Sequence, residues 1–164
     1  MSKKKLQFTL NGRPVTYLVE PRTTLLRALR EHGITSVKRG CEEGECGTCT
    51  VLLNGIPVKS CTLLALEVEG KEVLTIDGLK GKDGKLHPVQ QAFIDAGGIQ
   101  CGFCTPGIIL TTYALLNENS NPAEDDIRRA LSGNLCRCTG YTGIFRSVKR
   151  AVELLKEETG CCSS

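Results

Sequence analysis

Three thiols within nine residues, Cys41-x4-Cys46-x2-Cys49, leave the chain around them little freedom. Gly40, Gly44 and Gly47 are interleaved with them, as suits a backbone that curls tightly, using positive φ angles and turning N–H groups toward sulfur. Cys61, with eleven residues between it and Cys49, is the only other thiol in that half, and Cys101-x2-Cys104 with Cys136-x-Cys138 forms a second quartet. The start, Met1-Ser-Lys-Lys-Lys5, leads into an alternating stretch and not into a signal-peptide core. A reducing compartment is therefore expected, where thiols bind metal more often than they pair. Cys136 and Cys138 are also too close in sequence to form a disulfide easily.

Aromatic residues make up 4% of the 164 residues and Trp is absent, so large rings are not expected to hold the core together. The net charge is only +3 and is spread over both halves, which argues against nucleic acid or an anionic membrane as partner. No apolar run approaches the ~20 residues of a membrane span. A cytoplasmic protein of one sizeable domain or two small ones is expected.

Leu6–Leu10 and Val15–Val19 alternate with period two around Asn11-Gly12, which predicts a β-hairpin. Thr23 or Thr24 can cap a helix over Leu25–Leu29 that Gly33 ends. Thr50–Leu53, Asn54-Gly55 and Ile56–Val58 predict a second hairpin, and Val73–Ile76 one more strand. Strands around one helix make a small mixed domain. A glycine-rich stretch, Gly78 to Gly84, reads as a linker and puts a boundary near 78–86. Helices are then predicted around Pro88–Ala96, from Thr105 as cap with Pro106 in the first turn, from Asn121-Pro122, and from Thr142 or Gly143 to Leu155. The tail Glu157–Ser164 reads as frayed, with Cys161 and Cys162 as bystander thiols.

The first spacing is the one plant-type ferredoxins use for three ligands of a 2Fe–2S cluster, and Cys61 makes a fourth thiol available. Zinc is disfavoured there, because all-cysteine zinc sites prefer two short Cys pairs. The second quartet taken alone also admits structural zinc. Pro106 and Gly107 put its first pair at a helix N-terminus, where the dipole favours thiolate. Arg137, Lys149 and Arg150 could offset cluster charge, although solvated side chains are the simpler reading. His32 and His87 read as capping or surface residues, and Glu42, Glu43 and Glu45 either serve a partner or face water, the latter being the simpler reading. No phosphate-binding loop, dinucleotide fingerprint or Ser–His–Asp arrangement is present, so the chain is expected to carry electrons without making or breaking bonds in a substrate.

Cys41-Glu-Glu-Gly-Glu-Cys-Gly-Thr-Cys49, Gln100-Cys-Gly-Phe-Cys-Thr-Pro-Gly107 and Leu131-Ser-Gly-Asn-Leu-Cys-Arg-Cys-Thr-Gly-Tyr141, in that order, resemble the iron–sulfur subunit of the molybdenum hydroxylases. This is the xanthine dehydrogenase, aldehyde oxidoreductase and carbon monoxide dehydrogenase family, and the resemblance spans about residues 5 to 155. It implies an α+β protein: a β-grasp ferredoxin-like domain over 1–79, then a four-helix bundle domain over 80–164. It implies one 2Fe–2S cluster on Cys41, Cys46, Cys49 and Cys61 and another on Cys101, Cys104, Cys136 and Cys138. Gln100 matches the family glutamine that hydrogen-bonds the pterin, and Cys138 the cluster ligand adjoining it. The implied partners are a molybdopterin-binding large subunit and an FAD-binding medium subunit, with electrons relayed from the first to the second or to another acceptor. The alternative is a free-standing ferredoxin-type carrier. One departure is visible: many members have Gly after the first cysteine, where this chain has Glu42.

Overall fold

The computed structural model describes residues 2–81 and 84–160. Part of the glycine-rich linker, together with Cys161 and Cys162, therefore lies outside the described residues. Both hairpins form as their Asn-Gly pairs require. β1 (Lys4–Leu10) and β2 (Arg13–Val19) are antiparallel with Leu6 opposite Tyr17 and Phe8 opposite Val15. Asn11 and Gly12 take φ 52° and 77°, the double left-handed step of a primed turn. β3 (Thr50–Leu53) and β4 (Ile56–Lys59) repeat the arrangement around Asn54-Gly55. β5 (Glu72–Leu74) lies between the hairpins, parallel to β1 and antiparallel to β3, and gives a mixed sheet ordered β2-β1-β5-β3-β4.

Period-two alternation puts Leu6, Phe8, Leu10, Tyr17 and Val19 on one buried face of the sheet. Against them lies the buried stripe of α1 (Leu25–Glu31): Leu25, Leu26, Ala28 and Leu29. Thr24 caps the helix through a bond from Arg27 N–H. His32 ends it, its Nδ1 donating to Ala28 O at 2.8 Å while the ring stacks on Tyr17 at 3.7 Å. The scarcity of large rings is thus met by aliphatic packing.

The second half has four helices: α2 (Pro88–Asp95), α3 (Thr105–Glu118), α4 (Glu124–Leu131) and α5 (Thr142–Gly160). Their apolar stripes enclose a separate core around Phe93, Ile108, Ile127, Ile144 and Val148, which Leu79 also enters. His87 caps α2, its Nδ1 accepting from Val89 N–H. Among the described residues, no helix is long and apolar enough to cross a membrane.

Several boundaries differ from the sequence reading. β5 stops at Leu74 and not at Ile76, because the side chain of Asn11 accepts the N–H of Thr75 at 2.8 Å and draws it out of the ladder. Ile76 then begins a turn of 3-10 helix and packs against the second core. Thr105 is the first residue of α3 and not its cap; Cys104 occupies the cap position, its carbonyl accepting from Ile108 N–H. α4 starts at Glu124, since Asn121 is engaged in a turn with the side chain of Asn119 and the carboxylate of Asp126 accepts from Ala123 N–H. The tail reading fails for 157–160: α5 continues to Gly160, with Arg150 paired to Glu153 and Glu157 one and two turns on.

Candidate metal centre

In the first half the loop after α1 brings Cys41 and Cys46 together, and the N–H groups of Glu43 and Cys46 point at Cys41 Sγ from 3.4 and 3.5 Å. These donors, with that of Cys46 foremost, pull the Cys41 thiol down to about 6. Cys49 and Cys61 are buried beside each other, where burial pushes Cys61 up to about 11. The carbonyl of Cys49 accepts from Ser60 Oγ at 2.7 Å, which fixes the second pair.

Glu42 does not face water as expected. It is the residue where many family members have Gly, and it adopts φ 58°, a left-handed conformation that is costly for a residue with a side chain. Its carboxylate is gripped by Arg27 at 2.9 Å and Arg39 at 2.6 Å, so two cations hold the turn that a glycine would adopt freely. The Arg27 bond, first among these, holds the Glu42 carboxyl below the usual range. Glu43 and Glu45 are exposed.

In the second half Cys101 and Cys138 lie with their sulfurs 3.5 Å apart, both exposed, and Cys104 sits beside Cys136 at the start of α3. Burial pushes Cys104 up to about 12, whereas the N–H of Phe103 leads in lowering Cys101. Cys136 is held by its own loop: its N–H donates to Tyr141 Oη at 2.9 Å, and its sulfur lies 3.2 Å from Thr139 Oγ1. Gln100 is exposed next to Cys101. Lys149 and Arg150 are taken up by Glu124 and by Glu153 and Glu157, and Arg137 is exposed, which favours the solvated reading.

The eight thiols are unpaired in disulfide terms and fall into four neighbouring couples, two in each half. That suits a two-iron cluster, in which each iron takes two thiolates. A single zinc needs four ligands converging at about 2.3 Å. Among the described residues, no three Cys, His, Asp or Glu side chains converge on one ion in that way. The buried Cys61 and the half-buried Cys104, both pushed up by burial, would ionise more readily against metal charge.

Sequence reasoning missed the residues that join the halves. Leu135 N–H donates to Cys46 O at 2.9 Å, Thr48 Oγ1 to Phe103 O at 3.0 Å, and the buried Asn134 side chain to Gly47 O at 3.0 Å. Asn134 is marked in the sequence only by its place between Gly133 and Leu135, and no local pattern distinguishes it from a turn residue.

Two family models cover the chain. Residues 8–75 match a 2Fe-2S iron-sulfur cluster binding domain, and residues 75–149 match a second 2Fe-2S binding domain. The chain is 49% identical over 154 residues to the nicotinate dehydrogenase small FeS subunit of Eubacterium barkeri, covering 93% of this chain and 98% of that one. It is 49% identical over 148 residues to the xanthine dehydrogenase iron-sulfur-binding subunit of Escherichia coli O157:H7, covering 87% and 91%. A chain of quinoline 2-oxidoreductase from Pseudomonas putida 86 superposes with a TM-score of 0.89 at 41% identity, over 96% of this chain and 98% of that one. The protein thus belongs to the family of small iron–sulfur subunits of the molybdenum hydroxylases, with one 2Fe–2S domain in each half.

Proposed function

We propose that the chain is the electron-transfer subunit of a multi-subunit molybdenum hydroxylase. It passes electrons singly from a molybdopterin site on a large subunit to FAD on a medium subunit or to another acceptor. The observation that carries this is the arrangement of eight thiols as four couples, two in each of two halves that touch through their cysteine loops. The relatives are small subunits of larger dehydrogenases, which speaks against the free-standing ferredoxin alternative.

Cys41, Cys46, Cys49 and Cys61 would hold one cluster, and Cys101, Cys104, Cys136 and Cys138 the other. When bound, each cluster supplies a centre that accepts and releases one electron. The residues around it set how readily it does so, by N–H donors aimed at sulfur and by burial. Gln100 and Cys138 would meet the pterin. In support, Gln100 is exposed beside Cys101, whose exposed sulfur lies 3.5 Å from that of Cys138, and the apolar Phe103, two residues on, is 47% exposed.

The finer description of the fold as a β-grasp domain over 1–79 and a four-helix bundle domain over 80–164 is supported by the mixed sheet packed on α1 and by two separate cores. A cytoplasmic location is supported by eight described thiols left unpaired.

Anaerobically purified protein should carry about four irons per chain, as two clusters of two, and lose its visible absorbance on reduction with dithionite. Cys46→Ser should remove one cluster's EPR signal and spare the other, and Cys104→Ser should do the reverse. A zinc-only preparation, or loss of both signals from a folded single variant, would refute the assignment.

A further inference from the structure

Asn134 is a polar side chain only 5% exposed, yet it lies in a loop and is neither a cysteine nor a cap. Its carboxamide is nearly fully used. Nδ2 donates to Gly47 O at 3.0 Å and lies 3.3 Å from Thr50 Oγ1, and Oδ1 accepts from Thr111 Oγ1 at 3.0 Å. The three partners belong to three separate elements: the Cys46–Cys49 loop, β3 and α3. Asn134 itself stands two residues before Cys136. One amide therefore ties together the segments that carry Cys46 and Cys49, Cys104, and Cys136 and Cys138.

The surrounding backbone is built for this closeness. A Cβ added to Gly47 would lie 2.0 Å from Gly133 O, and one added to Gly107 would lie 2.6 Å from Gly47 O. Three backbone segments thus approach closely around the Asn134 side chain. Buried polar groups with every partner in place rigidify their surroundings, because any displacement strands a donor or acceptor away from water.

We propose that Asn134 is a positioning residue for electron transfer between the two clusters. Its carboxamide fixes the separation of the Cys46–Cys49 loop from the Cys136–Cys138 loop. This deepens the relay reading above and rests on it. In the step concerned, one electron lost from the helical-half cluster is gained by the ferredoxin-half cluster; no bond forms or breaks and no proton moves.

The test uses the full chain with its clusters, reduced with dithionite. Asn134→Leu keeps the branched heavy-atom skeleton and removes the bonds from both ends of the amide, whereas Thr111→Val removes only the bond to Oδ1. The unsubstituted protein should show two reduced clusters whose EPR signals split one another through space. Asn134→Leu should retain the iron and both signals, lose or markedly narrow that splitting, and equilibrate electrons between the clusters several-fold more slowly after flash photoreduction. Thr111→Val should show a smaller change in the same direction. An unchanged splitting and rate in Asn134→Leu would overturn the proposal and leave the relay reading intact. So would loss of iron from both variants, since Asn134 would then only hold the fold. Two unsplit signals in the unsubstituted protein would also overturn it, and absence of iron–sulfur clusters there would overturn the relay reading itself.

Discussion

Gly47→Ala probes the joint between the two halves where it is tightest. Gly47 has φ 67°, so any side chain there carries the left-handed penalty of about 1–2 kcal/mol. Its added Cβ would in addition meet the backbone oxygen of Gly133 at 2.0 Å, and a backbone atom cannot swing aside as a side-chain end can. Relief requires the two loops to part, an overpacking cost of about 1–3 kcal/mol, for a total of about 2–5 kcal/mol. Gly12→Ala is the matched control: Gly12 has φ 77° and no atom within 4 Å of an added Cβ, so it carries the conformational penalty alone. At about 2–4 °C per kcal/mol for a chain of this size, Gly47→Ala should melt roughly 4–20 °C lower, and Gly12→Ala roughly 2–8 °C lower. Calorimetry at a fixed scan rate, with visible absorbance followed in parallel, gives both numbers, and cluster colour should fade early only in Gly47→Ala. Equal losses in the two variants would show that the loops yield without cost and would refute the close-packed joint.

Two further outcomes are expected. Gln100→Ala should leave both clusters in place but slow their reduction by substrate in the assembled enzyme; an unchanged rate would remove Gln100 from the pterin contact. In the iron-free chain, alkylation of Cys41 by iodoacetamide should rise with pH through a midpoint of about 6 and then level off, because the thiolate is the reactive form and its N–H donors lower its pKa. Cys104, pushed up to about 12 by burial, should stay unreactive across that range. Cys41 therefore contributes most to stability above its ordinary value of 9.0, and that contribution is lost as pH falls through about 6. A common midpoint near 9.0 for both thiols would show that the N–H groups do not reach Cys41.

What could be read in advance was whatever the chain encodes over short distances. Asn11-Gly12 and Asn54-Gly55 specify their turns through local φ preferences, and the cysteine spacings pointed to both quartets. The errors came where a distant group captured a local one. Thr75 leaves its strand because of Asn11, 64 residues earlier. The late start of α4 is instead a local effect, in which Asn119 and Asp126 take up the N–H groups of Asn121 and Ala123. Distance also hid Asn134, whose partners Gly47 and Thr50 lie 87 and 84 residues away. Glu42 was assigned to solvent because nothing in its neighbourhood announces Arg27, which arrives from α1.

Where a glycine would secure the bend after Cys41 by lacking a side chain, this chain relies on Coulomb attraction at Glu42. Both arginines are more than half exposed, so dissolved ions weaken their hold once concentrated salt shortens the Debye length to about 3 Å, near 1 M ionic strength. The loop has thereby become sensitive to its ionic medium, and brine could loosen it while a glycine version would stay put.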